Sequence, residues 1–233
     1  LTRQFEGIEE VNIFVNDCDE DVSLSIFLLR NHELALSPDN MLLNRFVFME
    51  DMLDTTSGLY AFSSDLTSLK ELMWVFEPYH SFRVSGGLES RSNKRFTEVI
   101  DSIGERIHVY LQGGAKEIEL DTRFEVIKQH DGWSLVKEIG RNARIGISDA
   151  GIQAFVSVRE RDDGRWSYTL SRASQFVPFP IEKLTGVLNS KEESSSADKW
   201  GGGDMVIGSP RISGSAISPD EITSLINGVL KGI

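Results

Sequence analysis

Three aspartates at alternate positions, Asp17, Asp19 and Asp21, follow the apolar run Val11-Asn-Ile-Phe-Val15 directly. Clustered carboxylate oxygens are the ligands that a hard divalent cation requires. Read as a strand ending in an acidic turn, the segment puts these acids at the carboxyl end of a strand, where ligands sit in open α/β sheets. Capping of the next helix is the plainer role for the same acids, because negative charge suits the positive end of a helix dipole. A further pair, Asp51 and Asp54, falls at the end of a helical stretch, where negative charge opposes the dipole. Asp17, Asp19 and Asp21 could on this reading hold a hard divalent cation, and the unfavourable placement of Asp51 and Asp54 marks them for function.

A second chemistry-bearing segment runs from Trp200 to Glu221, WGGGDMVIGSPRISGSAISPDE. Glycines let a backbone come close to a ligand, exposed N–H groups can face an anion, and an arginine fork matches two phosphate oxygens. Gly201, Gly202, Gly203, Ser209 and Arg211 are therefore the expected phosphate-binding residues. A glycine-rich surface loop that merely closes an interface is the alternative. Arg141, Arg144, Arg159, Arg161 and Arg172 are other candidates for an anion site, and spacing alone does not bring them together. His32, His80, His108 and His130 show no metal-ligand spacing. Cys18 lies among acids that raise its pKa and is rejected as a nucleophile.

The elements that must position these groups follow from periodicity. A helix is expected to carry Leu24, Phe27, Leu28 and Leu29, and a second to carry Met41, Leu42, Arg45, Phe46, Phe48, Met49 and Leu53, broken at Thr55-Thr-Ser-Gly58. Residues 63 to 90 read as mixed, with Pro78 and Gly86-Gly87 marking irregular backbone and a domain boundary, and Trp74, Phe76 and Tyr79 as core. Phe96, Ile100, Ile103 and Ile107 predict a helix over 92 to 111 that stops at Gly113-Gly114. From about 133 the pattern becomes β, with a hairpin of Ile152–Val158 and Trp166–Leu170 around Asp162-Asp-Gly164. Ile181–Leu188 reads as a short helix, and Lys191–Lys199 as a polar surface loop. Ser218-Pro-Asp-Glu221 is a capping box with proline at the first helical position, and Ile222, Leu225, Ile226 and Leu230 continue it as an amphipathic helix.

The chain has 233 residues, 40% of them hydrophobic, enough for one large or two small domains. Its formal net charge of -12 argues against a general nucleic-acid coat or an anionic membrane surface as partner. One cysteine excludes an internal disulfide, and no apolar run approaches a bilayer span. A cytoplasmic protein is expected; the chain begins at Leu1, so its first residues are not read for a targeting signal.

The two ends together resemble the DHH phosphoesterase superfamily with its DHH-associated C-terminal domain. The first motif of that family, His-x-Asp-x-Asp, is similar to Asp17-Cys-Asp19-Glu-Asp21 with Asp17 in place of the histidine. Its C-terminal order of hairpin, Arg-Ser pair, short helix, glycine triad and small-residue turn resembles Tyr168-Thr-Leu-Ser-Arg172-Ala-Ser174, Ile181–Leu188, Gly201-Gly-Gly-Asp204 and Gly208-Ser209. Asp204 stands where the family has a histidine, and no Asp-His-His triplet occurs. The resemblance implies an α/β fold: a parallel-sheet N-terminal part over 1–85, truncated or divergent, and a smaller mixed α/β domain over 86–233. It implies a metal-dependent phosphohydrolase acting on a nucleotide or small phosphorylated compound, with Asp17, Asp19, Asp21 and Asp54 holding manganese or magnesium, Asp19 and Asp21 in the catalytic roles, and a homo-oligomer allowed. A catalytically degenerate relative that binds a phosphorylated ligand or a protein partner is the alternative.

Overall fold

The computed structural model describes residues 12–90, 92–192 and 198–232. The protein is mixed α/β, with eight α-helices and one six-stranded sheet among these residues. It forms two compact units: residues 1–54 with 65–119, and residues 55–64 with 120–233. Residues 86–111, which the sequence grouped with the C-terminal domain, fall in the first unit, where their helix packs on the one before it.

Every regular element among the described residues of the first unit is helical. Its elements are α1 (Glu20–Arg30), α2 (His32–Leu36), α3 (Met41–Thr55), α4 (Thr67–Val84), a 3-10 turn (Gly87–Ser90) and α5 (Asn93–Leu111). The parallel sheet expected over residues 1–85 is absent among the described residues. Residues 12–15 are irregular, and Phe14 is 95% exposed; Val11 lies outside the described residues. An apolar run of strand composition does not become a strand without a neighbour to complete its ladder. The core is aromatic: the Phe46 ring lies 5.5 Å from Phe76 and 5.0 Å from Tyr110, and Phe82 meets Phe96 edge to face at 5.8 Å. These rings join α3 and α4 to α5.

The irregular backbone expected at Pro78 is instead helical, because α4 runs through it. Proline removes one helical N–H and leaves the carbonyl four residues earlier without its donor. That carbonyl belongs to Trp74, and the Arg106 guanidinium on α5 donates to it. Phe76 and Tyr79, assigned to the core, are buried there, while Trp74 is half-buried beneath Arg106.

The second unit carries β1 (Phe124–His130), β2 (Trp133–Glu138), α6 (Ala143–Asp149), β3 (Ala154–Glu160), β4 (Trp166–Arg172), α7 (Ile181–Lys191), β5 (Gly201–Gly202), β6 (Val206–Gly208) and α8 (Pro219–Leu230). Sheet order is β1-β2-β3-β4-β6-β5. Only the β2–β3 pair is parallel, its crossover made by α6; the other pairs are antiparallel. The β3–β4 hairpin and α7 lie where the sequence put them. In α8 the Ser218 side chain caps the Glu221 amide at 3.3 Å, as the capping box requires. Trp133, Val156, Leu170, Phe179, Leu184, Trp200, Ile222 and Ile226 form the larger core cluster. A smaller one holds Leu59, Val136, Ile147 and Phe155. Residues 55–64 are tied in by Arg144 Nη1 to the Ser57 carbonyl (3.0 Å) and Ser148 Oγ to the Leu59 carbonyl (3.1 Å).

Candidate functional site

The acidic residues named from the sequence all lie in the helical unit. Asp19 is the N-terminal residue flanking α1, yet its side chain caps no helix amide. Its Oδ1 is buried without a hydrogen-bond partner among the described residues. Asp17 accepts the Cys18 amide on Oδ1 at 2.7 Å and the Tyr79 hydroxyl of α4 on Oδ2 at 3.4 Å. Asp21 is exposed in the first turn of α1. The Asp19 carboxyl is pushed up to about 7, first by burial, then by a hydrogen bond shared with Asp21 and by the charges of Asp21, Asp17 and Glu20.

The α3 helix brings its own carboxylates to the same corner. Glu50 is only 9% exposed and is raised to about 7 by burial and then by Asp54, Asp21, Glu20 and Asp51. Asp54, one turn further on, is raised by burial and by Asp21 and Asp51. Glu20 is raised by burial, against the lowering pull of its own amide and of Arg83, and stands 3.3 Å from His80 Nε2. The sequence reading missed Glu20 and Glu50. Glu50 had a visible signal: it sits on the buried face of α3, next to Met49 and four residues after Phe46. An acid at a core position is costly unless it is paired or neutralised.

These carboxylates perturb one another, and their hard oxygen donors suit magnesium or manganese. As the side chains stand, no group of three His, Cys, Asp or Glu residues among those described is placed to hold a metal ion. The orphaned Asp19 oxygen is the donor that a cation would satisfy. Cys18 is fully buried and its thiol is pushed up to about 12, by burial first and then by Asp17 and Asp19. The acids that excluded it as a nucleophile act in the expected direction, behind a larger desolvation effect.

In the second unit Gly201 and Gly202 form β5, paired with Gly208 and Ile207 of β6, and the chain reverses through Gly203, Asp204 and Met205. Gly202 has φ +154°, and a Cβ there would lie 2.3 Å from the Val206 carbonyl oxygen, so only glycine fits. At Gly201 and Gly203 a Cβ would meet nothing within 4 Å, and both are exposed.

Arg172 is the arginine at this turn. At the end of β4 its Nε donates to the Asp204 carbonyl at 3.0 Å, and Nη1 reaches the Gln175 and Phe179 carbonyls at 3.4 Å each. Nη2 makes no hydrogen bond among the described residues. Gln175 donates to the Asp204 carboxylate. The two residues expected beside the glycines lie after β6, past the open end of the hairpin. Ser209 is buried, its Oγ accepting the Tyr168 amide at 3.0 Å. Arg211 follows the open end of the β5–β6 pair in an exposed loop, its carbonyl accepting from Arg161 Nη1 at 3.3 Å.

No family model matches the chain, and no curated protein matches it. Among the described residues no helix is long and apolar enough to cross a membrane.

Proposed function

We propose that the chain is a divalent-cation-dependent phosphohydrolase acting on a nucleotide or another small phosphorylated compound. The observation that carries this reading is the buried, unpartnered Oδ1 of Asp19 in a corner that also holds Asp17, Glu20, Asp21, Glu50 and Asp54. Asp17, Asp19, Asp21 and Asp54 would hold magnesium or manganese. A bound cation supplies Lewis acidity and an activated water. Glu50 keeps the corner electrically tunable, because it accepts a proton when the site lacks a positive charge. The second unit offers an anion site of its own at the glycine turn, where the exposed glycine backbone, apart from the Gly203 amide already given to the Val206 carbonyl, and the Nη2 edge of Arg172 would receive phosphate oxygens.

The order of elements in the second unit supports the likeness to the DHH-associated domain: a hairpin ending in Arg172-Ala-Ser174, the helix α7, the glycine triad, then α8. A cytoplasmic location and a homo-oligomer belong to the same proposal. The deciding experiment is isothermal titration with magnesium and manganese, followed by a phosphate-release screen over mononucleotides and sugar phosphates with each ion. Binding with release supports the hydrolase. The second reading, a degenerate relative that binds without cleaving, is favoured by Asp204 standing at the motif histidine's place, its carboxylate held by Gln175. Binding without turnover would select it.

A further inference from the structure

A glycine strand has a difficulty of its own. Strand register is normally set by side chains that must face the core, and a one-residue slip moves every one of them to the wrong face. Gly201, Gly202 and Gly203 carry no side chains, and β5 is the edge strand of its sheet. A Cβ at Gly202 would lie 2.3 Å from the Val206 carbonyl oxygen, but a one-residue slip would bring another glycine there, so the triad by itself does not choose its register.

The residue before the triad supplies what the glycines lack. Trp200 is 1% exposed and stacks on Tyr168 with ring centroids 5.8 Å apart. Its indole N–H donates to Glu192 Oε2 at 3.2 Å. Its backbone is gripped on both sides by one side chain: the Trp200 amide donates to Asn189 Oδ1, and Asn189 Nδ2 donates to the Trp200 carbonyl, each at 3.0 Å. The Asn189 carboxamide thus does for Trp200 what a neighbouring strand would do. Glu192 is itself immobilised, its fully buried side chain accepting from Arg165 Nη2 (3.3 Å), Ser215 Oγ (2.5 Å) and the Ala216 amide (3.0 Å) as well as from Trp200.

We propose that Asn189 is a positioning residue: through Trp200 it sets the register of the glycine hairpin, and hence the presentation of the Gly201–Gly203 amides. The inference rests on the reading of that turn as an anion site only for its functional consequence. Register itself is measurable without any ligand.

The test uses the full chain, by amide-resolved NMR, as wild type, N189A, N189D and the control S190A. Ser190 bonds only within α7, to the Gly186 carbonyl. In N189A, exchange of the Gly203 amide, which donates to the Val206 carbonyl at 2.8 Å, should accelerate at least about tenfold, since two hydrogen bonds to the Trp200 backbone are lost. Amides of β3 and α8 should keep their protection. N189D retains the acceptor and loses the donor, so its effect should be intermediate. Unchanged Gly203 exchange in N189A overturns the proposal. So does loss of β3 and α8 protection together with the turn in both N189A and N189D, which would make Asn189 a general support of the fold.

Titration with inorganic phosphate then separates the two readings. If the wild-type Gly201–Gly203 amides shift with phosphate and N189A needs about tenfold more, both stand. If wild type shows no phosphate response while the N189A turn is loosened, the anion-site reading fails and the register role is supported.

Discussion

The guanidinium of Arg106 donates to the carbonyl of Trp74, the acceptor that Pro78 leaves without its helical donor. The same arginine lies 5.0 Å over the Trp74 ring and pairs with Glu77 Oε2 at 3.2 Å. A proline at the twelfth residue of α4 and an arginine on α5 therefore form one structural unit. Arg106→Ala should destabilise the helical unit by about 1–3 kcal/mol, the cost of an unpaired carbonyl. In a Pro78→Ala background the Trp74 carbonyl regains a backbone donor, so the same substitution should cost less. Denaturant unfolding of the four proteins in this double-mutant cycle checks it; equal costs in both backgrounds would reject the coupling.

That pair also shows where the sequence stops being readable. Amphipathic period identified α1, α3, α5, α7 and α8, because each buries a continuous apolar face. It failed at α4, where Pro78 is a breaker by every local rule and its rescue comes from a residue 28 positions further on. It also failed at β1, whose seven residues are largely exposed at a sheet edge and so lack the alternation that marks a half-buried strand. Of the candidate site, Asp17, Asp19, Asp21 and Asp54 were legible as acids, and the structure brings them into one electrostatic neighbourhood. Glu50 was not singled out, because its meaning depends on which face of α3 is buried, and Arg172 stood only as one of five arginines that could make an anion site, because the choice depends on which turn the end of β4 reaches.

The acidic corner sets a pH dependence of definite sign. Asp19 and Glu50 are raised to about 7 from ordinary values near 4, so between those values the folded chain binds more protons than the unfolded one. Stability of the helical unit should therefore fall as pH rises from about 4 through 7, the reverse of the usual carboxylate behaviour. Glu50→Gln should flatten this slope and raise the thermal midpoint at pH 8 by several degrees. Magnesium or manganese at millimolar concentration should do the same for wild type while releasing protons. A midpoint in wild type that rises with pH over this window without metal would contradict the account.

His130 gives the second unit the opposite slope. Its ring stacks on Trp133 at 4.4 Å and Nδ1 lies 3.5 Å from the Asn227 amide nitrogen, while the Trp133 indole N–H occupies Asn227 Oδ1 at 3.0 Å. Nδ1 must then accept, so the ring is neutral, and burial with the Lys128 charge holds its pKa below the usual 6.5. The unfolded chain takes up the proton first as pH falls below about 6.5, and stability is lost from there downward to the folded pKa. Histidine NMR titration should give a lowered value for His130, and His130→Gln should remove this part of the acid limb. A His130 pKa at or above 6.5 would dismiss this account.

Arg172 and Arg211 separate the anion-site hypothesis into two experiments. Arg172 reaches the turn from β4 with Nε and Nη1 held by three carbonyl groups, which orients its plane and leaves Nη2 for a ligand oxygen. Arg211 lies past the open end of the hairpin, in the loop whose Ile212 and Ser213 amides are bound by Asp198 at 3.2 and 2.7 Å. Arg172→Lys keeps the charge and loses the fork, so inorganic phosphate should bind about tenfold more weakly. Arg211→Lys should leave that affinity within about twofold and the thermal midpoint nearly unchanged, as expected of an exposed side chain away from strained backbone. Phosphate titration followed on the Gly201–Gly203 amides, with thermal unfolding of the same samples, decides between them. A loss of affinity in the Arg211 variant alone would return the anion site to the loop after β6 and remove Arg172 from it.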